Sequence, residues 1–220
     1  MKLIFFSDLG CIAAAEFRTQ LIKLTGKQKP IVAYVSSAWD GERKYYQQNQ
    51  EYYSKSNILL GSYFDLETEF NIESAEKTFQ ADAIHLSGGN TYRFLYWIKQ
   101  RGFQKRLIDY VNSGGAIIGV SAGSIIMTPN ISTSRLCGDT NDIGLKNEGG
   151  LNLVDFHYLP HVDSRSPLTD VMIKSQQDRS AIVVAADSDY LVINGAKLEV
   201  YGKPRLIVNG KITNSLLKII

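Results

Sequence analysis

Gly119-Val120-Ser121-Ala122-Gly123 lies between the apolar run Ala116-Ile117-Ile118 and a second run, Ser124-Ile125-Ile126-Met127. The first run reads as a buried strand and the second as the opening of a helix, so the pentapeptide occupies the handover between them. A G-x-S-x-G sequence in that position has the form of a nucleophile elbow. The flanking glycines let the backbone turn sharply and leave the serine strained, with its hydroxyl exposed at the strand's C-terminal end. The helix that follows aims free N–H groups at the same point. The competing reading is a plain glycine-flanked turn whose serine caps a helix.

Outward from this stretch, short apolar runs alternate with helical patterns. Leu3–Phe6, Ile31–Val35, Ile58–Tyr63, Ala83–Leu86 and Ala116–Val120 read as strands. Ala13–Leu24, Glu42–Lys55, Glu73–Phe79, Thr91–Lys99 and Phe103–Asn112 read as the helices between them. Continuous rather than alternating hydrophobicity predicts strands covered on both faces, hence a mostly parallel central sheet in an α/β fold. Such a sheet carries its site beyond the C-terminal strand ends, where Ser121 falls. The last third reads as shorter strands, Leu151–His157, Ala181–Ala186, Tyr190–Ile193, Leu198–Tyr201 and Leu206–Val208. Asn194-Gly195 and Asn209-Gly210 are hairpin-turn signals, so these strands are expected as a small antiparallel C-terminal appendage on the sheet edge. With no linker in between, residues 1–220 read as one domain. The Tyr- and Gln-rich stretch 40–56 reads as a surface helix over the site, with its rings used in packing.

The 220 residues suffice for one substantial core. A net charge of +2, with 44% hydrophobic and 21% charged residues, offers no electrostatic case for nucleic acid or an anionic membrane. Cys11 and Cys137 fit no metal-ligand spacing, and neither a metal nor an organic cofactor is expected. The apolar start stops at Ser7-Asp8, too soon for a signal peptide, and no run approaches a membrane span. A cytoplasmic location is the expectation. The sequence is silent on oligomeric state.

A serine hydroxyl needs a base to take its proton. Of three histidines, His85 lies inside a buried strand and reads as a core residue. His157 alternates with apolar neighbours, and His161 follows Leu159-Pro160 where the chain leaves a strand, which makes it the preferred base. Asp187, closing the run Ala181–Ala186, is the preferred acid, with Asp142 and Asp163 as rivals. Oxyanion donors are expected from the N–H of Ala122 and from Ser87-Gly88-Gly89-Asn90-Thr91, where adjacent glycines permit close approach of the main chain. The competing reading of that loop is a glycine turn with Asn90 or Thr91 as N-cap.

Taken in order, Gly88-Gly89-Asn90-Thr91, the elbow at 119–123, Asn141-Asp142 and Pro160-His161 resemble the peptidase E (aspartyl dipeptidase) serine peptidases, which are related to cyanophycinase. The resemblance spans nearly the whole chain. It implies a three-layer class I glutamine amidotransferase-like sandwich, with Ser121 as nucleophile, His161 as base, and Gly89 and Ala122 as oxyanion donors. The family's acid is usually glutamate. Asp187 stands at the matching position, and Asp142 matches an aspartate also implicated in the family, so the acid stays open between them. The resemblance further implies a small peptide substrate, with Asp-X dipeptides as its form and Arg165 or Arg135 as the cation for the aspartate side chain. Basic residues after the histidine segment are thinner than the family pattern, Ser166-Pro167-Leu168-Thr169 standing there instead. The alternatives are a catalytically silent binding or regulatory protein on the same fold, and a hydrolase of another amide.

Overall fold

In a computed structural model describing residues 1–163 and 165–213, the apolar runs of the first half become β1 (Lys2–Phe6), β2 (Ile31–Ser36), β3 (Leu59–Asp65), β4 (Ala83–Leu86) and β5 (Ala116–Val120). The intervening patterns become α1 (Ala14–Thr25), α2 (Lys44–Lys55), α3 (Ile72–Phe79), α4 (Thr91–Gln100) and α5 (Phe103–Asn112). The elbow opens α6 (Ala122–Ile126), and the last third holds β6 (His157–Leu159), α7 (Thr169–Asp178), β7 (Ala181–Val184), β8 (Tyr190–Asn194), β9 (Lys197–Tyr201), β10 (Arg205–Val208) and β11 (Lys211–Thr213). The main sheet runs β3-β2-β4-β5-β1-β8-β9, parallel from β3 to β1 and antiparallel beyond.

The pleat explains why these strands are apolar throughout. Leu3 and Phe5 of β1 face a cluster with Ile84, Ile117 and residues of α4 and α5, such as Phe94 and Leu107. Their neighbours Ile4 and Phe6 face the opposite cluster, with Phe17 and Leu21 of α1 and Tyr53 of α2. Helices thus cover both faces, and three layers result.

The C-terminal third departs from a single edge appendage. The hairpin β8–β9, turning at Asn194-Gly195, extends the main sheet, whereas β11-β10-β7-β6 form a second, four-stranded sheet. That sheet is antiparallel except for the β6–β7 pair, and the Asn209-Gly210 turn joins β10 to β11 with both residues at positive φ. Its inner residues Tyr158, Val183 and Leu206 join the main core, while Ile182, Val184 and Ile207 pack under α7. The strand expected over Leu151–His157 shrinks to His157–Leu159. Asn152 is left-handed (φ 53°), and the N–H groups of Leu151 and Leu153 bond to Ile126 and Met127 at the end of α6 instead of to a strand.

Candidate active site

Three strand ends and one loop converge on Ser121. The residue has φ 51° and ψ −110°, a conformation that L-residues rarely adopt, and its side chain makes no capping bond to α6. The plain N-cap reading therefore fails for this serine. Its own N–H bonds to Phe6 at the end of β1, as does the Ser124 hydroxyl, which fixes the elbow to the sheet. Gly123 lets α6 touch β4: a methyl group there would collide with the Leu86 carbonyl, and the Gly123 N–H bonds to the Ser87 carbonyl at 3.1 Å.

His161 Nε2 stands 2.8 Å from Ser121 Oγ, and His161 Nδ1 stands 2.6 Å from Asp187 Oδ1. The Asp187 carboxylate can only accept, so Nδ1 carries the proton toward it and Nε2 faces the serine as acceptor. The imidazole–carboxylate contact is short although aspartate is one methylene shorter than the glutamate that the resemblance leads one to expect. Both side chains are about half exposed, so the site opens to solvent.

The structure separates the rivals. His85 is buried and bonded at Nδ1 to the Tyr53 hydroxyl (3.0 Å), the satisfied core histidine expected from its strand. Burial lowers its pKa to about 3, so it is neutral. His157 is buried in β6, and burial lowers its pKa as well. Asp142 accepts from the Thr140 hydroxyl at 2.8 Å, and Asp163 accepts from the Arg165 N–H at 2.8 Å. Neither contacts His161.

Gly89 has φ 134°, open only to glycine, and a methyl group there would collide with the Ser37 hydroxyl. That hydroxyl donates to the Gly88 carbonyl at 2.6 Å, and the Ser87 hydroxyl donates to the same oxygen at 3.1 Å. In a planar trans peptide the Gly89 N–H points opposite to that carbonyl, away from both serines. Ala122, first residue of α6, has no intrahelical acceptor for its N–H. Gly88 lies against Ser121, an added Cβ falling 3.5 Å from Ser121 Cβ. Asn90 caps α4 by accepting the Arg93 N–H (2.9 Å) and donates to the Thr140 carbonyl (2.9 Å), so its side chain is committed to structure. Arg165 is exposed and its Nε lies 3.3 Å from Asp163 Oδ1. Arg135 engages Tyr92 and Glu148.

Sequence reasoning missed two serines. Ser7, buried at the end of β1, accepts the His161 N–H (2.7 Å) and donates toward Asp187 (3.4 Å). Ser37 holds the glycine loop from the end of β2. Each sits just past a strand terminus that the apolar pattern located, which is the only signal the sequence offered.

The sequence matches the profile of peptidase family S51 over residues 11–201. The chain belongs to peptidase family S51. It is 31% identical over 143 residues to "Uncharacterized peptidase Lmo0363" of Listeria monocytogenes, covering 64% of this chain and 70% of that one. It is also 31% identical over 111 residues to peptidase E of Escherichia coli O1:K1, covering 49% of this chain and 46%, about half, of the relative. A crystal structure from Listeria monocytogenes, provisionally named a peptidase E, superposes with a TM-score of 0.74 at 23% identity, over 91% of this chain and 97% of that one, and shows the fold. Family S51 and its peptidase E members support reading this chain as a serine-type peptidase. Among the described residues no helix is long and apolar enough to cross a membrane.

Proposed function

We propose that the chain hydrolyses small peptides in the cytoplasm through a Ser121–His161–Asp187 triad and an acyl-enzyme. The observation that carries this reading is the chain of contacts from Asp187 through His161 to Ser121, at 2.6 and 2.8 Å. His161 Nε2 takes the Ser121 proton as Oγ attacks the peptide carbonyl, and Asp187 stabilises the imidazolium. The N–H groups of Gly89 and Ala122 receive the oxyanion. His161 then donates its proton to the leaving amine, and water, deprotonated by the same imidazole, hydrolyses the ester. The aspartate preference implied by the resemblance needs a cation, and of its two candidates Arg165 is engaged with Asp163 and Arg135 with Tyr92 and Glu148.

A fluorophosphonate probe tests the triad directly, because it bonds only to an activated hydroxyl. Wild type is expected to label at Ser121 and to cleave members of a dipeptide library, and Ser121→Ala to do neither while keeping its fold. Turnover undiminished in Ser121→Ala would falsify the reading, and absence of labelling would favour the silent binding protein.

A further inference from the structure

Two cavities, of about 440 and 370 Å³, meet around the glycine loop and share Tyr45, Asn49 and Gly88 in their walls. The smaller also touches Val120, the residue before the nucleophile. Gly88, common to both walls, lies against Ser121, an added Cβ falling 3.5 Å from Ser121 Cβ, so the space opens beside the proposed nucleophile. The walls hold no lysine or arginine. They hold the carboxylates of Asp8 and Asp40 and the rings of Tyr34, Trp39, Tyr45 and Tyr52, and Trp39 and Tyr45 are largely exposed. His85, also in the wall, is neutral and adds no positive charge.

The nearby arginines do not compensate. Arg43 stacks on Tyr63 at 4.6 Å and pairs with Glu69, and Arg93 pairs with Glu67. Lys203 and Arg205 line a separate cavity whose wall includes Val162 and Ala186, the residues next to His161 and Asp187. The carboxylates themselves keep acceptor capacity. Asp40 Oδ2 takes the Tyr45 N–H (3.2 Å), Asp8 Oδ1 takes the Gly10 N–H (2.8 Å) and Asp8 Oδ2 meets the Cys11 thiol (3.8 Å), which leaves each carboxylate further acceptor capacity. Carboxylates beside exposed indole and phenol faces attract a cation and repel an anion.

We infer that this space is the acyl-side subsite for a positively charged side chain, an ammonium or guanidinium, so that the substrates are small peptides cleaved after lysine or arginine rather than after aspartate. The inference rests on the Ser121 mechanism proposed above.

The test compares Lys-Leu, Arg-Leu, norleucyl-Leu and Asp-Leu, which share one leaving residue. The kcat/KM for Lys-Leu and Arg-Leu is expected to exceed that for norleucyl-Leu by about tenfold, with Asp-Leu lowest. Asp8→Asn and Asp40→Asn, which retain the capping acceptors, should lower the Lys-to-norleucine ratio several-fold. Asn49→Lys, which adds a cation to both walls, should raise Asp-Leu at the expense of Lys-Leu. Fluorophosphonate labelling with Asp-Leu preferred, or with ratios indifferent to all three substitutions, overturns the subsite and leaves the triad standing. If labelling fails, calorimetric binding of the same dipeptides to Ser121→Ala still decides the subsite: Lys-Leu must bind more tightly than Asp-Leu, and equal binding overturns it.

Discussion

Ser7 Oγ accepts the backbone N–H of His161 at 2.7 Å, which ties the proposed base to the end of β1. His161 is itself left-handed, with φ 63°, so this bond holds a residue in a conformation it would not choose. The same hydroxyl points toward Asp187, which places one buried oxygen behind two members of the proposed triad. Ser7→Ala leaves the His161 N–H without its acceptor, at a cost of about 1–3 kcal/mol. We expect kcat to fall by about 10- to 100-fold through misplacement of the imidazole, with KM little changed. Steady-state kinetics on the best dipeptide checks this.

Asp187 sets the tautomer of His161 through Nδ1. In Asp187→Asn the amide can donate to Nδ1, which leaves the proton on Nε2 and the serine facing a donor. A loss of roughly 10³–10⁴ in kcat is expected. Asp187→Glu should retain more activity than Asp187→Asn, because the half-exposed side chain has room for one more methylene. An active Asp187→Asn enzyme would instead assign the acid role elsewhere.

Ser37 orients the Gly88–Gly89 peptide through its 2.6 Å bond to the carbonyl. Removing an oxyanion donor outright costs roughly 10²–10³ in kcat. Ser37→Ala loosens the proposed Gly89 donor without deleting it, and the Ser87 hydroxyl still holds the same Gly88 oxygen. The expected result is about a tenfold fall in kcat with KM nearly constant, together with weaker inhibition by a peptide boronate that mimics the tetrahedral adduct.

His85 makes the folded state sensitive to acid. Its pKa is about 3 in the fold because burial disfavours the charged ring, against 6.5 for an unperturbed histidine. Below pH 6.5 the unfolded chain binds a proton that the folded chain refuses. Stability is therefore complete above that pH and is lost as pH falls toward 3, by up to about 5 kcal/mol across the window. Denaturant midpoints measured between pH 7 and pH 4 should fall more steeply for wild type than for His85→Asn, which keeps a polar partner for Tyr53.

The parallel half of the fold was legible because its strands are apolar on both faces, and nothing but burial between two helical layers explains that pattern. The last third was harder to read. Its strands are short, and the same alternation serves both a hairpin on the main sheet and a second sheet under α7. Leu151–His157 looked like a strand by composition, yet the close approach to the end of α6 claimed its backbone donors. The aromatic stretch 40–56 read as packing, and Tyr46 and Tyr53 are buried as that reading requires. Tyr45 and Tyr52 nonetheless line the space beside Gly88, a use that helical periodicity alone does not reveal.

By itself the sequence determined where a strained serine must stand, since glycines at 119 and 123 between two apolar runs leave the chain little other than a strand–turn–helix corner. It also narrowed the base to a histidine leaving a strand. Only the tertiary structure decided which acid meets that histidine, and which serines hold it and the glycine loop in place. Ser7, Ser37, Ser87, Ser121, His161 and Asp187 lie on separate segments of the chain. Their hydrogen bonds exist only because strand pairing within each sheet, and packing of the second sheet against the main core, bring the C-terminal ends of those segments together, and no local pattern of residues encodes that convergence.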